Sequence, residues 1–146
     1  MRTSLPRKQK GAVAIEFAAV FVIFFAVFYG MISYSLPLLL LQSFNQATAE
    51  AVRLSVGLDP TMAGYQNAVI TTAKNTVVTR LRWIPNTFGF TAAQVSATFD
   101  GNSVLTVQVN YPSANLQAVM PFIVLPGLGT VPRLPTLLQA QSSLQF

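Results

Sequence analysis

From Ala12 to Leu41 nearly every position is apolar, and from Phe17 to Ala49 there is no Asp, Glu, Lys or Arg. A helix needs about 20 apolar residues to cross a bilayer core. The block is long enough, so a membrane-spanning helix is expected over residues 12–36. Beyond it the pattern becomes amphipathic. Ala47, Ala51 and Leu54 can share one helical face, with Glu50 and Arg53 outside it. The helix is therefore expected to continue as a stem over 37–57, with Gly57 as its cap. Pro37 withholds the hydrogen bond its N–H would give to Ser33. That leaves two outcomes open: one helix with a bend near Ser33–Pro37, or two helices broken at Pro37.

A second helix is expected from Asp59 as cap and Pro60 as first helical residue, ending at Trp83–Ile84 ahead of Pro85. Val69, Ala73, Val77 and Leu81 recur every fourth residue and mark its buried stripe; Lys74, Arg80 and Arg82 lie off it. The period then changes to two. Val95, Ala97 and Phe99 alternate with polar residues, as do Leu105, Val107, Val109 and Tyr111. A three-residue turn at Asp100-Gly101-Asn102 would pair Val95 with Val107 and Ala97 with Leu105, with Asn102 left-handed. Leu138, Ala140, Leu144 and Phe146 alternate with Gln139, Gln141, Ser143 and Gln145, which predicts a third strand. The fold class is thus α+β: a long N-terminal membrane helix continuing as a stem, a second helix, and a small three-stranded antiparallel sheet packed on the helices. Residues 112–133, with Pro112, Pro121, Pro126 and Pro132, form a long apolar loop that either packs on the sheet or serves as a partner surface.

The composition fits this layout. The chain has 146 residues, 52% hydrophobic and only 9% charged, which is room for about one domain over 58–146 outside the membrane. No later stretch reads as a second span, since "LQAVMPFIVLPGLG" is interrupted by Pro121 and Pro126. The net charge of +5 does not point to nucleic acid. Arg2, Arg7, Lys8 and Lys10 all precede the apolar block, the distribution that holds a short N-terminus in the cytoplasm. No basic patch with interleaved aromatics follows.

Candidate chemistry is sparse. There is no histidine and no cysteine, which removes Ser-His and Cys-His nucleophile pairs and the usual metal-ligand clusters, so no catalytic residue, cofactor or metal site is expected. Glu16, Glu50, Asp59 and Asp100 fall in different elements, and Lys74 sits within a helix.

The apolar run is about twice as long as the 7–15-residue core of a secretory signal peptide, and its one Ala-x-Ala, at Ala47–Ala49, lies past its end. An uncleaved anchor explains the run and the basic residues, but not Gly11 or Glu16. An ionisable residue near the start of a span is expensive unless partnered. At an ordinary anchor it would complement the helix N-terminus near the headgroups. If a peptidase cut after Gly11, Ala12 would carry a new amine one helical turn from Glu16. In a bundle of such helices, the carboxylate of one subunit could then meet the amine of the next.

"RKQKGAVAIEF" followed by a long apolar helix resembles the class III signal of type IV pilins and pseudopilins. "FNQATAEAVRLS", from Phe44 to Ser55, resembles the segment after the membrane helix in TadE-like pseudopilins of the tight-adherence (Tad, or Flp) pilus. The resemblance covers residues 7–56. It implies a pilin-like fold and a cytoplasmic leader, 1–11, with basic residues Arg7, Lys8 and Lys10. It also implies prepilin-peptidase cleavage between Gly11 and Ala12, and an assembly motif at Glu16 and Phe17. Major pilins of the class usually have tyrosine after the glutamate, so Phe17 favours a TadE-like over a main-fibre role; a TadF-like role stays open. Asn45, Ala49, Glu50 and Arg53 carry the stem resemblance. The implied function is that of a minor pilin or pseudopilin in surface attachment and biofilm. Its implied partners are prepilin peptidase, TadF-like pseudopilins, the Flp major pilin, the inner-membrane assembly platform and membrane lipid. The implied location is the bacterial inner membrane, with the C-terminal domain extracytoplasmic. The other reading is an uncleaved single-pass anchor carrying a small extracytoplasmic binding domain.

Overall fold

A computed structural model describes residues 8–100, 102–125 and 129–145. Arg2, Arg7, Gly101, Pro126 and Phe146 lie outside the described residues.

The apolar block and the stem form one helix, α1 (Lys8–Ser55), which runs through Pro37 without interruption. The expected alternative of two helices broken at Pro37 does not occur. Ser33, whose carbonyl loses its helical partner at Pro37, is buried, and its hydroxyl donates to the Gly30 carbonyl at 3.0 Å. The helix has two environments. Every residue from Gly11 to Phe25 is exposed. From Leu40 onward, Leu40, Phe44, Ala47, Thr48, Ala51, Val52 and Ser55 are buried. That stripe advances by three or four residues per step, the spacing of one helical face. It turns Leu54 outward, 46% exposed, and so corrects the expectation that Leu54 shares the face of Ala47 and Ala51. Gly57 follows the helix end with its N–H on the Leu54 carbonyl, and it is not among the left-handed glycines.

The second helix, α2 (Tyr65–Arg80), begins later and ends earlier than the pattern predicts. Asp59 does not cap it. The Asp59 carboxylate instead accepts the Thr61 N–H at 2.9 Å and the Thr61 hydroxyl at 2.7 Å, closing a turn ahead of the helix. Gly64 takes the cap position with φ 75°, which a side chain would strain. At the other end Leu81 closes the helix through the Val77 carbonyl, and turns carry the chain to Pro85. The expected stripe of Val69, Ala73, Val77 and Leu81 is fully buried.

Three strands, β1 (Val95–Phe99), β2 (Val104–Pro112) and β5 (Leu137–Gln145), form an antiparallel sheet in the order β1-β2-β5. Alternate residues of β2, namely Leu105, Val107, Val109 and Tyr111, point into the core against both helices. The β1–β2 register pairs Val95 with Val109 and Ala97 with Val107. That is two residues from the predicted pairing. A two-residue shift keeps every side chain on its face, so the apolar face survives the correction. The cause is Asp100. Its carboxylate accepts the N–H groups of Asn102 and Val104 at 2.9 and 2.8 Å, so Asp100 closes the ladder and the loop moves on by one residue. Ser103, with φ 58°, then holds the left-handed position assigned to Asn102.

The 112–133 segment is not a featureless loop. Single 3-10 turns over Ser113–Ala118 bury Leu116 in the core. A second, two-stranded sheet pairs β3 (Ile123–Leu125) with β4 (Gly129–Val131). This hairpin was hidden in the sequence because flanking prolines break the period-two pattern.

Tyr111 supplies the one polar atom on the β2 inner face. Its hydroxyl donates to the Phe88 carbonyl at 2.6 Å, and burial pushes its pKa up. Tyr111→Phe should cost about 1–3 kcal/mol, the range for leaving a buried acceptor without its donor. Chemical denaturation of the full chain in detergent checks this, and an unchanged midpoint would show that the bond contributes nothing.

Candidate functional site: the N-terminal helix

The exposed half of α1 carries an aromatic ladder. Phe17, Phe21, Phe25 and Tyr29 stack in succession at centroid distances of 6.0, 6.3 and 6.5 Å. Phe24 and Phe28 stack at 6.0 Å. Each pair is four residues apart, which places the rings one above another along the helix. Among the described residues this is the one helix long and apolar enough to cross a membrane.

Gly11, Ala12, Glu16 and Phe17 all lie on this exposed segment. A Cβ at Gly11 would meet nothing within 4 Å. Ala12 and Glu16 stand one turn apart, and among the described residues no cation pairs with Glu16. Lys8 and Lys10 open the helix; their side chains, with Arg7, fall outside the described residues.

The stem is different. Asn45, Ala49 and Arg53 are exposed, while Glu50 is half-buried between two arginines. Arg53 donates to both Glu50 carboxylate oxygens at 3.1 Å, and Arg80 on α2 donates to Oε1 at 3.2 Å. The Glu50–Arg53 contact is legible from the three-residue spacing. Arg80 is thirty residues away in sequence, and no local signal reveals it. On the far side of the stem, Thr48 shares a 3.0 Å hydroxyl contact with Ser142 on β5. The stem is thus joined to both α2 and the sheet.

The hydrogen bonds from Arg53, then the charges of Arg53 and Arg80, outweigh partial desolvation and hold the Glu50 carboxyl below its ordinary value of 4.5. The Thr61 N–H, and then its hydroxyl, lower Asp59 similarly. A carboxyl depressed in the folded state binds fewer protons there than when unfolded. Its stabilisation is present above the ordinary carboxylate range and is lost as pH falls through the lowered pKa. The chain should therefore lose stability on acidification below about pH 4.5. Glu50→Gln should flatten that decline, measured by thermal melts across pH 7 to 3; a parallel decline in the variant would contradict the assignment.

The TadE-like protein family model matches residues 11–53. Over these residues the chain is similar to TadE-like proteins. The match begins at Gly11 and ends at Arg53, so it nearly coincides with α1 and takes in both the exposed segment and the stem. The α2–sheet domain lies beyond it. No curated protein and no solved structure gives a significant match. The TadE-like segment coincides with an apolar helix that is consistent with a single-pass membrane anchor.

Proposed function

We propose that this chain is a minor pilin or pseudopilin of a Tad/Flp pilus, inserted in the inner membrane and processed by prepilin peptidase after Gly11. The observation that carries this reading is the division of α1. One uninterrupted helix has an exposed first half, with Glu16 unpaired among the described residues, and a second half joined to a folded domain. Residues 1–11 serve as leader, 12–36 as membrane helix, 37–57 as stem and 58–146 as extracytoplasmic domain. Gly11 helps at the cut: it weakens the helix locally by about 1 kcal/mol relative to alanine, which eases unwinding for a peptidase.

After cleavage, the Ala12 amine and Glu16 offer a cation and an anion one turn apart. Neighbouring subunits can pair them in trans, where an unpaired charge would cost several kcal/mol. Because the stem is fixed to the domain through Phe44, Thr48 and Glu50, the register of the membrane helices sets the placement of the domains. The protein acts through assembly with other pilus subunits and the membrane platform, with no catalytic role. Cells lacking this chain should lose Tad pili, and the intact chain should restore them. Normal piliation in its absence, scored by electron microscopy of sheared fibres, would contradict the proposal.

A further inference from the structure

One residue of the β3–β4 pair, Ile123, lies beside the apolar half of α1, while Met120, Phe122 and Leu134 at its base pack against the domain core. Ile123 meets α1 at a crevice lined by Phe21, Val22, Phe25, Ala26 and Tyr29. Two tyrosines fix the feet of the hairpin. The Tyr29 hydroxyl donates to the Pro121 carbonyl, and the Arg133 N–H donates to the Tyr34 hydroxyl at 2.9 Å. Ile123 thus lies on the leader side of these feet, beside earlier turns of the helix.

This position has a consequence for depth. A span that starts at Ala12 needs about 20 residues and the proposed membrane helix runs to residue 36, so both tyrosines fall in its last two turns. Tyrosine is enriched at the membrane–water boundary, where its ring is apolar and its hydroxyl wet. Phe21 lies about 12 Å further in than Tyr29, at about 1.5 Å per residue. A hairpin with its feet at the tyrosines and Ile123 beside Phe21–Ala26 therefore lies below the headgroups.

Its composition suits that place. Val119 to Pro132 contain no Asp, Glu, Lys or Arg, and Arg133 supplies a cation at the foot. Val124 is 71% exposed although apolar. Pro121 and Pro132 remove backbone donors at both ends, and the three ladder pairs satisfy part of the rest. Open strand edges are not tolerated deep in hydrocarbon, which favours the outer leaflet next to the headgroups over the bilayer centre.

We infer that the β3–β4 hairpin is a lipid-contacting element. It is buried in the outer leaflet of the membrane that α1 crosses, and holds the domain close to the bilayer before assembly. This rests on the reading of α1 as a membrane span. The chain has no cysteine, so single labels can be placed cleanly. Full-length Val124→Cys, Val20→Cys and Asn75→Cys variants, each carrying an environment-sensitive fluorophore, would be reconstituted in phosphatidylcholine–phosphatidylglycerol vesicles. Quenching would be measured with lipid nitroxides at shallow and deep acyl positions and with aqueous iodide.

The label at Val124 should be quenched by shallow nitroxides and be several-fold less accessible to iodide than the label at Asn75. The label at Val20 should be quenched by deep nitroxides. An iodide-accessible Val124 with Val20 in lipid would overturn the hairpin inference while leaving the span intact. Protection of Val124 from both quenchers would also overturn it, since a second copy of the chain would then cover the hairpin. An iodide-accessible Val20 would remove the membrane span and the inference together.

Discussion

Replacing Phe44 with alanine is expected to destabilise the domain by about 3–5 kcal/mol, the range for deleting a buried aromatic side chain. Phe44 has no exposed surface and lies where three elements meet. Its ring stacks on Phe90 at 5.9 Å and tilts against Tyr111 of β2 at 5.6 Å. Close packing leaves no group able to fill the space without moving the sheet from the helix. Leu54→Ala, ten residues further along the same helix but half-exposed, should cost under about 1 kcal/mol. Equilibrium unfolding of the full chain in detergent, followed by the fluorescence of Trp83, its one tryptophan, compares the two directly. Equal losses would mean that the stem is not packed on the domain as described, and that membrane-helix register is not passed on to the sheet.

Glu16→Gln should leave insertion and domain stability unchanged while abolishing pilus incorporation. The side chain is exposed and touches no part of the domain, so the isolated protein has nothing to lose. In an assembled bundle the variant leaves the Ala12 amine of the neighbour without its anion. Breaking a buried ion pair from one side costs about 3–5 kcal/mol, roughly two to three and a half powers of ten in an association constant at about 1.4 kcal/mol per tenfold. Membrane fractionation should find the variant at wild-type levels, with little or none in sheared fibres. Wild-type incorporation would show that Glu16 merely complements the helix end, as in an ordinary anchor.

The sequence reveals most where a single periodicity governs burial. The 48-residue helix, the α2 stripe and the two long strands of the sheet all follow from the spacing of apolar positions. It misleads where one residue type can do two local jobs. Asp59 followed by Pro60 has the form of a helix cap, yet the Asp59 carboxylate closes a turn on Thr61 and the helix waits for Gly64. Asp100 likewise binds two N–H groups and moves the hairpin register by two. Leu54 fails for another reason: the buried face drifts around the helix and passes it near the end. The contacts that make the site a unit, Glu50 with Arg80 and Tyr34 with Arg133, join residues far apart in sequence. Periodicity carries no information about such pairs. The Gly11–Glu16 spacing is readable in the sequence, but the cleavage proposed for it depends on chemistry that another protein would perform.

That dependence is the most direct point at which to test the account. The measurement is the intact mass and N-terminal sequence of the chain from its native membrane, with and without the prepilin peptidase. A start at Ala12 that requires the peptidase is the predicted result. A start at Met1 or Arg2 under both conditions would contradict it and leave an uncleaved anchor. A start at Glu50 would contradict it differently, because the apolar half of α1 would then be removed as a signal peptide.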